Sequence, residues 1–355
     1  MSPDLGGAGR GTVTATPRPS SSSSSDSGPA RPADATAARD RRPGRVLVGL
    51  GVLLAVAVAA FMTVDARGAW AFVLPFRGVK VLALLLVAYA IGVSTVLFQT
   101  VTENRILTPS IMGFDALYVV LQTTLVFTIG SARLAAVDPH LRFGVEVLLM
   151  VGFAGVLFRW LFTGARRSLH LLLLAGIVLG VLFRSVSSFL QRLIDPNEFA
   201  VLQDALFASF NAVDTELLGV AAVLVGAASV VAWRGRHAYD VLLLGRPTAT
   251  ALGVEHQRAV TRVLVVVAVL VSVSTALVGP VTFFGLLVAH LAYRVVGSHR
   301  HRHVLPAAAM VAAITLVGGQ AVLEHMLGLD TALSVVVELL GGLVLLSLLV
   351  REGRR

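Results

Sequence analysis

The sequence contains no cysteine. This absence excludes disulfide bonds, thiolate nucleophiles and cysteine-ligated metal sites. Charged residues are also scarce, at 14% of the chain, whereas a typical soluble domain has about 25%. The single lysine, Lys80, does not complete a G-x-x-x-x-G-K-[ST] loop, so the chain lacks a P-loop for nucleotide hydrolysis. An ordinary soluble globule and a P-loop enzyme are both excluded.

Hydrophobic residues, in contrast, make up 56% of the chain and form long runs separated by short charged breaks. A run of about 20 apolar residues crosses a bilayer as a helix. We therefore predict an all-α polytopic membrane protein with about ten transmembrane helices. The predicted spans are Val46–Val64, Val79–Phe98, Ile111–Ile129, Phe143–Phe162, Leu169–Phe189, Glu216–Trp233, Ala259–Val278, Val281–Val296, Val304–Leu323 and Ala332–Val350.

Composition divides the chain into two regions. Residues 1–44 are rich in Ser, Pro, Gly, Ala and Arg, and we predict a disordered cytoplasmic tail because such a segment has little apolar surface to bury. Residues 45–355 form the predicted transmembrane domain, with a cytoplasmic loop at 240–257. Most of the 29 Lys and Arg residues fall on the tail's side of the membrane. This positive-inside bias predicts a plasma-membrane protein with both termini cytoplasmic and explains the net charge of +9 without nucleic acid.

A polar segment follows the second predicted span. It runs from Gln99 to Asp115 and carries Pro109 among several hydroxyl residues. Proline with small hydroxyl side chains favours a tight, hydrogen-bonded re-entry between helices. The alternative is a well-capped cytoplasmic turn, in which Ser110 is the N-cap and Asp115 lies in the first helical turns.

The longest basic loop predicts a short helix of its own. Pro247 suits a first helical position and Gly253 suits the residue just past a helix end, which indicates a helix over about Pro247–Leu252. The apolar Leu242–Leu244 beside it, expected to be exposed, indicates a partner surface. An interfacial helix resting on lipid explains the composition equally well.

A third unusual segment is Gly279–Leu291, where Gly279-Pro280 breaks the chain directly before a short span. A helix that begins at membrane depth can face a cavity, although a tight outer hairpin has the same sequence signal. Elsewhere, Gly176 and Gly180 form a G-x-x-x-G pattern that allows close helix packing.

Few ionisable residues lie within the spans, and intramembrane charge indicates function by default. Asp115 and Glu146 lie near span ends, where capping or snorkelling also accounts for them. Glu338 lies deepest within a span. It could be a pathway residue, a proton site or a buried hydrogen-bonded group, and we favour the buried hydrogen-bonded group. His299, His301 and His303 resemble a metal tract, but they alternate with arginines that repel a cation, so we predict no metal site and no cofactor.

Three of these motifs together resemble the permease subunit of iron–siderophore ABC importers, the FecCD-type family that includes the vitamin B12 importer permease. The resemblance covers about residues 45–351. Its most specific part is "FQT" followed by "NRILTPSIMGFD", at 98–100 and 104–115, which is similar to the branch that serves ferric catecholate siderophores. The other parts are "LG" to "ALGV" at 244–254, similar to the family's coupling-helix loop, and "GPVTFFGL" at 279–286. Ala289-His290 stands where many relatives have Pro-His, a departure that fits the catecholate branch.

The resemblance implies a type II ABC importer permease fold and a transport subunit without its own ATPase site. The implied partners are a second permease, identical or a sister chain, two cytoplasmic ABC ATPase subunits and an extracellular siderophore-binding lipoprotein. The implied substrate is a ferric siderophore, which crosses the bilayer between the two permeases.

The resemblance also assigns roles to residues. Those expected to couple to the ATPase are Leu244, Gly245, Arg246, Pro247, Thr248, Ala249, Ala251, Leu252 and Gly253. Those expected to line the pathway are Gln99, Thr100, Asn104, Pro109, Ser110, Gly113, Phe283 and Gly285. Candidates for docking the binding protein are Arg67, Arg77 and Lys80, for which ordinary loop solvation is the alternative.

A proton-coupled secondary transporter is the alternative function. Glu338 and Glu146 would then be the proton sites. The sequence leaves open which siderophore is carried and whether Glu146, Glu338 and Asp115 are functional or structural.

Overall fold

The computed structural model describes residues 32–64, 70–162, 169–207, 210, 213–326 and 333–352. These residues form helices joined by short turns, and they contain no β-strand. The first seven helices are α1 (Pro32–Thr63), α2 (Trp70–Thr102), α3 (Phe114–Ile129), α4 (Ser131–Ala135), α5 (Pro139–Phe162), α6 (Leu169–Gln191) and α7 (Pro196–Leu206). The others are α8 (Thr215–Leu242), α9 (Arg246–Ala251), α10 (His256–Val278), α11 (Phe284–Val296), α12 (His301–Ala321) and α13 (Leu333–Glu352).

Each of the ten predicted spans corresponds to one helix. In the described part of the chain, seven helices are long and apolar enough to cross a membrane. Two shorter apolar helices, α3 and α11, and the C-terminal α13 account for the other three. Both short helices follow breaks in the chain, at 103–113 and at 279–283, as the proline and glycine signals predicted.

Several boundaries differ from the predicted spans; α2, for example, begins at Trp70 rather than at Val79. Helix α8 continues nine residues past Trp233 to Leu242. In this extension the guanidinium of Arg236 packs 4.9 Å from the centroid of the Trp233 ring and donates to the Trp233 carbonyl at 2.9 Å. No helix was predicted in the polar stretch between the fifth and sixth spans. A helix forms at α7 instead, where Asp195 accepts a hydrogen bond from the Asn197 amide at 2.9 Å as N-cap and Pro196 occupies the first helical position.

The core lies around α2, α10 and α12. Helix α2 approaches α12 so closely that a Cβ on Gly92 would lie 2.9 Å from the Ala308 carbonyl oxygen. Helix α1 is largely exposed along its apolar length, as expected for a helix that faces lipid.

The chain divides at Asp40 into two units, 1–40 and 41–355. Residues 1–31 of the predicted tail lie outside the described residues. Residues 32–44, assigned to the tail from composition, are helical and form the beginning of α1.

Candidate translocation pathway and coupling helix

A six-residue helix, α9, lies between the long helices α8 and α10. Gly245 precedes it with φ +83°, a left-handed conformation that glycine adopts without strain. At its other end Gly253, with φ +79°, donates to the Thr250 carbonyl at 3.1 Å, and Val254 donates to Ala249 at 3.0 Å. This pair of bonds is a Schellman motif. The helix predicted from Pro247 and Gly253 therefore forms, one residue earlier than expected at each end.

Most of α9 is exposed. Ala249 is buried, whereas Pro247, Thr248 and Ala251 are exposed and Leu252 exposes 60% of its surface. Leu243 and Leu244 just before α9 are exposed too, but Leu242 is buried, so the expectation of an exposed Leu242 was wrong. Leu242 ends α8, where it packs into the core. The exposed leucines give α9 an apolar surface without a partner in the described chain.

The polar segment after α2 forms a re-entrant turn. One turn of 3₁₀ helix, Pro109–Met112, leads into Gly113, whose φ is +85°. Because Gly113 starts α3 in this left-handed conformation, the chain reverses into the bundle without an N-cap side chain. Ser110, expected as N-cap in the alternative interpretation, makes no capping hydrogen bond to α3.

The glycine pair on α6 packs against this turn. A Cβ on Gly176 would lie 2.8 Å from the Met112 Cα, and a Cβ on Gly180 would lie 3.3 Å from the Gly113 Cα. Because Gly176 and Gly180 lack side chains, Met112 and Gly113 of the re-entrant turn can pack directly against the α6 backbone.

The re-entrant turn meets the α10–α11 break at a small cavity of about 20 Å³. A cavity of this size holds about one water molecule. Hydroxyl groups, one carboxyl and small residues dominate its wall. The lining includes Ser94, Thr95, Thr108, Pro109, Ser110, Asp115, Ser274, Thr275, Thr282 and Gly285.

Two acidic residues border this region. The carboxyl of Asp115 interacts with the side chains of Ser110 and Thr282, and its Oδ2 is buried with no hydrogen-bond partner among the described residues. Glu338 on α13 accepts a hydrogen bond from the Thr282 amide at 3.3 Å, consistent with the favoured hydrogen-bonded role. Phe283, expected in the pathway, is 39% exposed beside the cavity.

The other expected pathway residues lie at the end of α2. Gln99 is buried, and its Nε2 donates to the Arg105 carbonyl at 2.7 Å. Asn104 is exposed, and its side chain accepts from the Ile106 amide at 2.9 Å. The Arg105 guanidinium lies 4.9 Å from the centroid of the Tyr293 ring and donates to Nδ1 of His299 at 3.2 Å. The expected pathway residues thus form two groups: Pro109, Ser110 and Gly285 at the cavity, and Gln99, Thr100 and Asn104 at the α2 end.

The expected docking cations contact their own chain. Nη1 of Arg77 donates to the carbonyls of Phe61 at 2.9 Å and Val64 at 2.8 Å, at the C-terminal end of α1. Lys80 pairs with Glu324. Arg67 lies outside the described residues. Intramolecular pairing therefore accounts for Arg77 and Lys80, and their docking role stays a prediction.

Glu146 belongs to a closed polar network between α3 and α5. It is 3% exposed and accepts from Arg142 Nε at 2.9 Å and from Gln122 Nε2 at 2.7 Å. Arg142 also donates to Gln122 Oε1 at 2.9 Å. The three side chains thus hydrogen bond one another, as buried polar groups in lipid must, and this arrangement favours a structural role for Glu146.

Sequence reasoning missed a buried contact of His301. The tract His299–His303 spreads its side chains toward separate partners: His299 contacts Arg105, while His301 is 1% exposed and hydrogen bonds Asp240 and Thr100. The available signal was Asp240 itself, an isolated acid at the start of a basic loop. The alternation of these histidines with arginines indicated a positively charged cytoplasmic segment instead.

These features define a multi-pass membrane transport permease, with short re-entrant elements that meet inside the bundle and a separate exposed helix between two spans. The chain belongs to the FecCD transport family, whose model matches residues 46–351.

Relatives agree with this assignment, and a solved structure shares the fold. The chain is 45% identical over 309 residues to the petrobactin import system permease protein YclO of Bacillus subtilis. The aligned region covers 87% of this chain and 97% of that protein. It is 36% identical to the petrobactin import system permease protein FatC of Bacillus anthracis, over 78% of each chain. The fold resembles an inward-facing conformation of a metal-chelate type ABC transporter, with TM-score 0.76, 22% identity, and coverage of 86% of this chain and 99% of that one.

Proposed function

We propose that this chain is the permease subunit of an ATP-driven importer for ferric siderophores, in the plasma membrane with both termini cytoplasmic. It works as a dimer of permeases, with two ATPase subunits on the cytoplasmic face and a binding lipoprotein outside. The observation that carries the proposal is α9, an exposed, capped helix joined to a membrane-spanning chain that has no P-loop of its own.

The architecture of α9 supports the transfer of force. Its two glycine caps fix its ends, and its buried Ala249 seats it on the bundle. Its exposed Thr248 and Leu252, with Leu244, form a surface that an ATPase can grip. Closure of the ATPases around ATP moves α9, and the permease halves rock to alternate access to the pathway.

The substrate class follows from the relatives and the wall chemistry. Both named Bacillus relatives are petrobactin permeases, and the motif at 98–115 is similar to the catecholate branch. We infer a ferric siderophore of the catecholate class. The cavity where the re-entrant turn meets the α10–α11 break holds about one water and is not itself the route, but hydroxyl side chains like those of its wall suit a pathway that must release its cargo. The proposal includes docking of the binding protein through Arg67, Arg77 and Lys80. Arg77 and Lys80 also make the intramolecular contacts with α1 and Glu324.

The test is uptake of ⁵⁵Fe-labelled petrobactin by proteoliposomes that contain the permease, its co-purified ATPase and the binding protein. We expect uptake to require ATP and to survive collapse of the proton gradient. Uptake that stops with the gradient at constant ATP supports the proton-coupled secondary transporter instead.

A pair of variants tests whether α9 couples ATP hydrolysis to transport. Gly253→Arg places a cation at the exposed end of α9, and Gly297→Arg is its matched control. Both glycines are exposed and left-handed, with φ of +79° and +61°, and no described atom lies within 4 Å of either Cβ position. We expect Gly253→Arg to abolish ATP-driven uptake while Gly297→Arg retains it. Equal uptake by the two variants contradicts the assignment of α9.

A further inference from the structure

His301 is the first residue of α12 and is buried at the junction of three helices. Its Nδ1 and its backbone amide both lie 2.7 Å from Oδ1 of Asp240, in the last turn of α8. Its Nε2 lies 2.8 Å from Oγ1 of Thr100, in the last turn of α2. One imidazole therefore links the ends of α8 and α2, on the side of the bundle that carries α9.

Hydrogen-bond directions make this link robust. The Asp240 carboxylate accepts, so Nδ1 of His301 donates to it. Thr100 also lies 2.8 Å from the Val96 carbonyl. If its hydroxyl proton points to Val96, Nε2 donates to Oγ1; if not, Oγ1 donates to Nε2. The Asp240–His301–Thr100 chain, which we name the triad, is closed in both arrangements.

Packing holds the triad rigid. The ring of Tyr239 lies edge-on to the His301 ring with centroids 5.7 Å apart, and Tyr239 is 2% exposed. The Asp240 carboxylate also caps α12, because it accepts the first amide of a helix whose preceding residue, Arg300, makes no capping bond.

The triad joins the end of α8, which leads to α9, and the end of α2, which leads to the loop at residues 103–113. Asp240 lies five residues before Gly245, the residue that precedes α9. Thr100 lies directly after Gln99, which holds the loop before the re-entrant turn through its bond to the Arg105 carbonyl. A short path of hydrogen-bonded and covalent neighbours therefore connects α9 to the loop at residues 103–113 that contains the re-entrant turn.

We propose that His301 is a positioning residue that transmits movement of the coupling helix to the re-entrant loop at residues 103–113. This inference rests on the proposed function, since it takes α9 as the element that the ATPase moves. Without the triad, α9 moves but the loop does not follow, so ATP hydrolysis is uncoupled from transport.

The first test removes only the Thr100 hydroxyl. Thr100→Val keeps the side-chain shape and loses the bond to His301, whereas Thr100→Ser keeps the hydroxyl. Thr102→Val is the control: Thr102 contacts the Phe98 carbonyl one turn back at 2.9 Å, as Thr100 contacts that of Val96, and its further contact with the Asn104 carbonyl at 3.4 Å does not involve His301. In reconstituted complexes we expect Thr100→Val to lower petrobactin transported per ATP hydrolysed by about tenfold, the equivalent of one lost buried hydrogen bond. Thr100→Ser and Thr102→Val should retain the wild-type ratio.

A second pair of variants tests the bond between His301 and Asp240. It keeps the proposal testable if Thr100→Val does not fold. Asp240→Asn keeps an oxygen that accepts from the imidazole and the amide, so it should retain the ratio of transport to hydrolysis, whereas Asp240→Ala should lower it. If Thr100→Val and Asp240→Ala both fold and transport with the wild-type ratio, the inference is overturned. If wild-type complexes show no ATP-linked transport, the proposed function fails instead, which keeps the two results distinct.

A direct measurement follows movement itself. Because the chain has no cysteine, Ile106→Cys and Thr250→Cys place two spin labels uniquely, on the loop and on α9, both at exposed positions. In a complex whose partner subunits also lack cysteine, pulsed electron–electron double resonance should give the same distance between the two labels of one permease with and without ATP. Adding Thr100→Val should make that distance depend on ATP. A distance that changes with ATP in the wild-type triad overturns the proposal.

Discussion

The contact between α6 and the re-entrant turn predicts a graded response to alanine substitution. In Gly176→Ala the new Cβ would lie 2.8 Å from the Met112 Cα, which is backbone and cannot rotate away. In Gly180→Ala the closest approach is 3.3 Å, to the Gly113 Cα. Gly152→Ala on α5 is the control, because no described atom lies within 4 Å of its Cβ.

The control isolates the packing term. Every glycine-to-alanine change inside a helix gains about 1 kcal/mol of helix propensity, whereas overpacking costs about 1–3 kcal/mol. The difference between Gly176→Ala and Gly152→Ala cancels the propensity gain. We therefore expect Gly176→Ala to be less stable than Gly152→Ala by about 1–3 kcal/mol, with Gly180→Ala between them.

The assay is the midpoint of denaturant unfolding of the purified permease in detergent, followed by circular dichroism. Uptake per folded molecule should fall in the same order, because the displaced turn carries Pro109 and Ser110 at the cavity wall. If Gly176→Ala is as stable as Gly152→Ala, the close approach of α6 to the re-entrant turn is wrong.

Three further predictions follow from the polar contacts. Glu146→Ala should destabilise the permease by about 1–3 kcal/mol, because the buried Gln122 amide and Arg142 lose the acceptor that they share, while transport per folded molecule is unchanged; a selective loss of transport would instead favour a proton site. Lys80→Met should lower the thermal midpoint in detergent, because Glu324 then loses its cation, whereas unchanged stability with weaker binding of the lipoprotein would favour the docking role. Arg105→Ala should loosen the loop at 103–108, measured as faster proteolysis there than in wild type, because its contact with the Tyr293 ring and its bond to His299 are lost; identical cleavage rates would contradict this.

Local signals predicted most of the fold. The ten spans followed from the length of each apolar run, because a lipid-facing backbone must satisfy its own hydrogen bonds. Helix α9 followed from Pro247 and Gly253, and its observed ends differ by one residue. The α7 helix was not predicted, although Asp195-Pro196 carries an N-cap signal.

Contacts between distant residues could not be predicted in the same way. His301 and Asp240 are 61 positions apart, and Lys80 and Glu324 are 244 apart. Such pairs depend on how helices pack, which the pattern within one apolar run does not specify. The same limit applies to the meeting of the two breaks at the cavity: each break was visible in the sequence, but their proximity was not.

Cross-linking at α9 tests the central claim most directly. Thr248→Cys introduces the sole thiol of this chain on the exposed surface of α9, and Glu216→Cys, also exposed, introduces one at the opposite end of α8. With a short bifunctional maleimide reagent on membranes that contain the co-expressed ATPase, the account predicts a covalent permease–ATPase product from Thr248→Cys and none from Glu216→Cys. Equal products from both positions, or a product from Glu216→Cys alone, would contradict it.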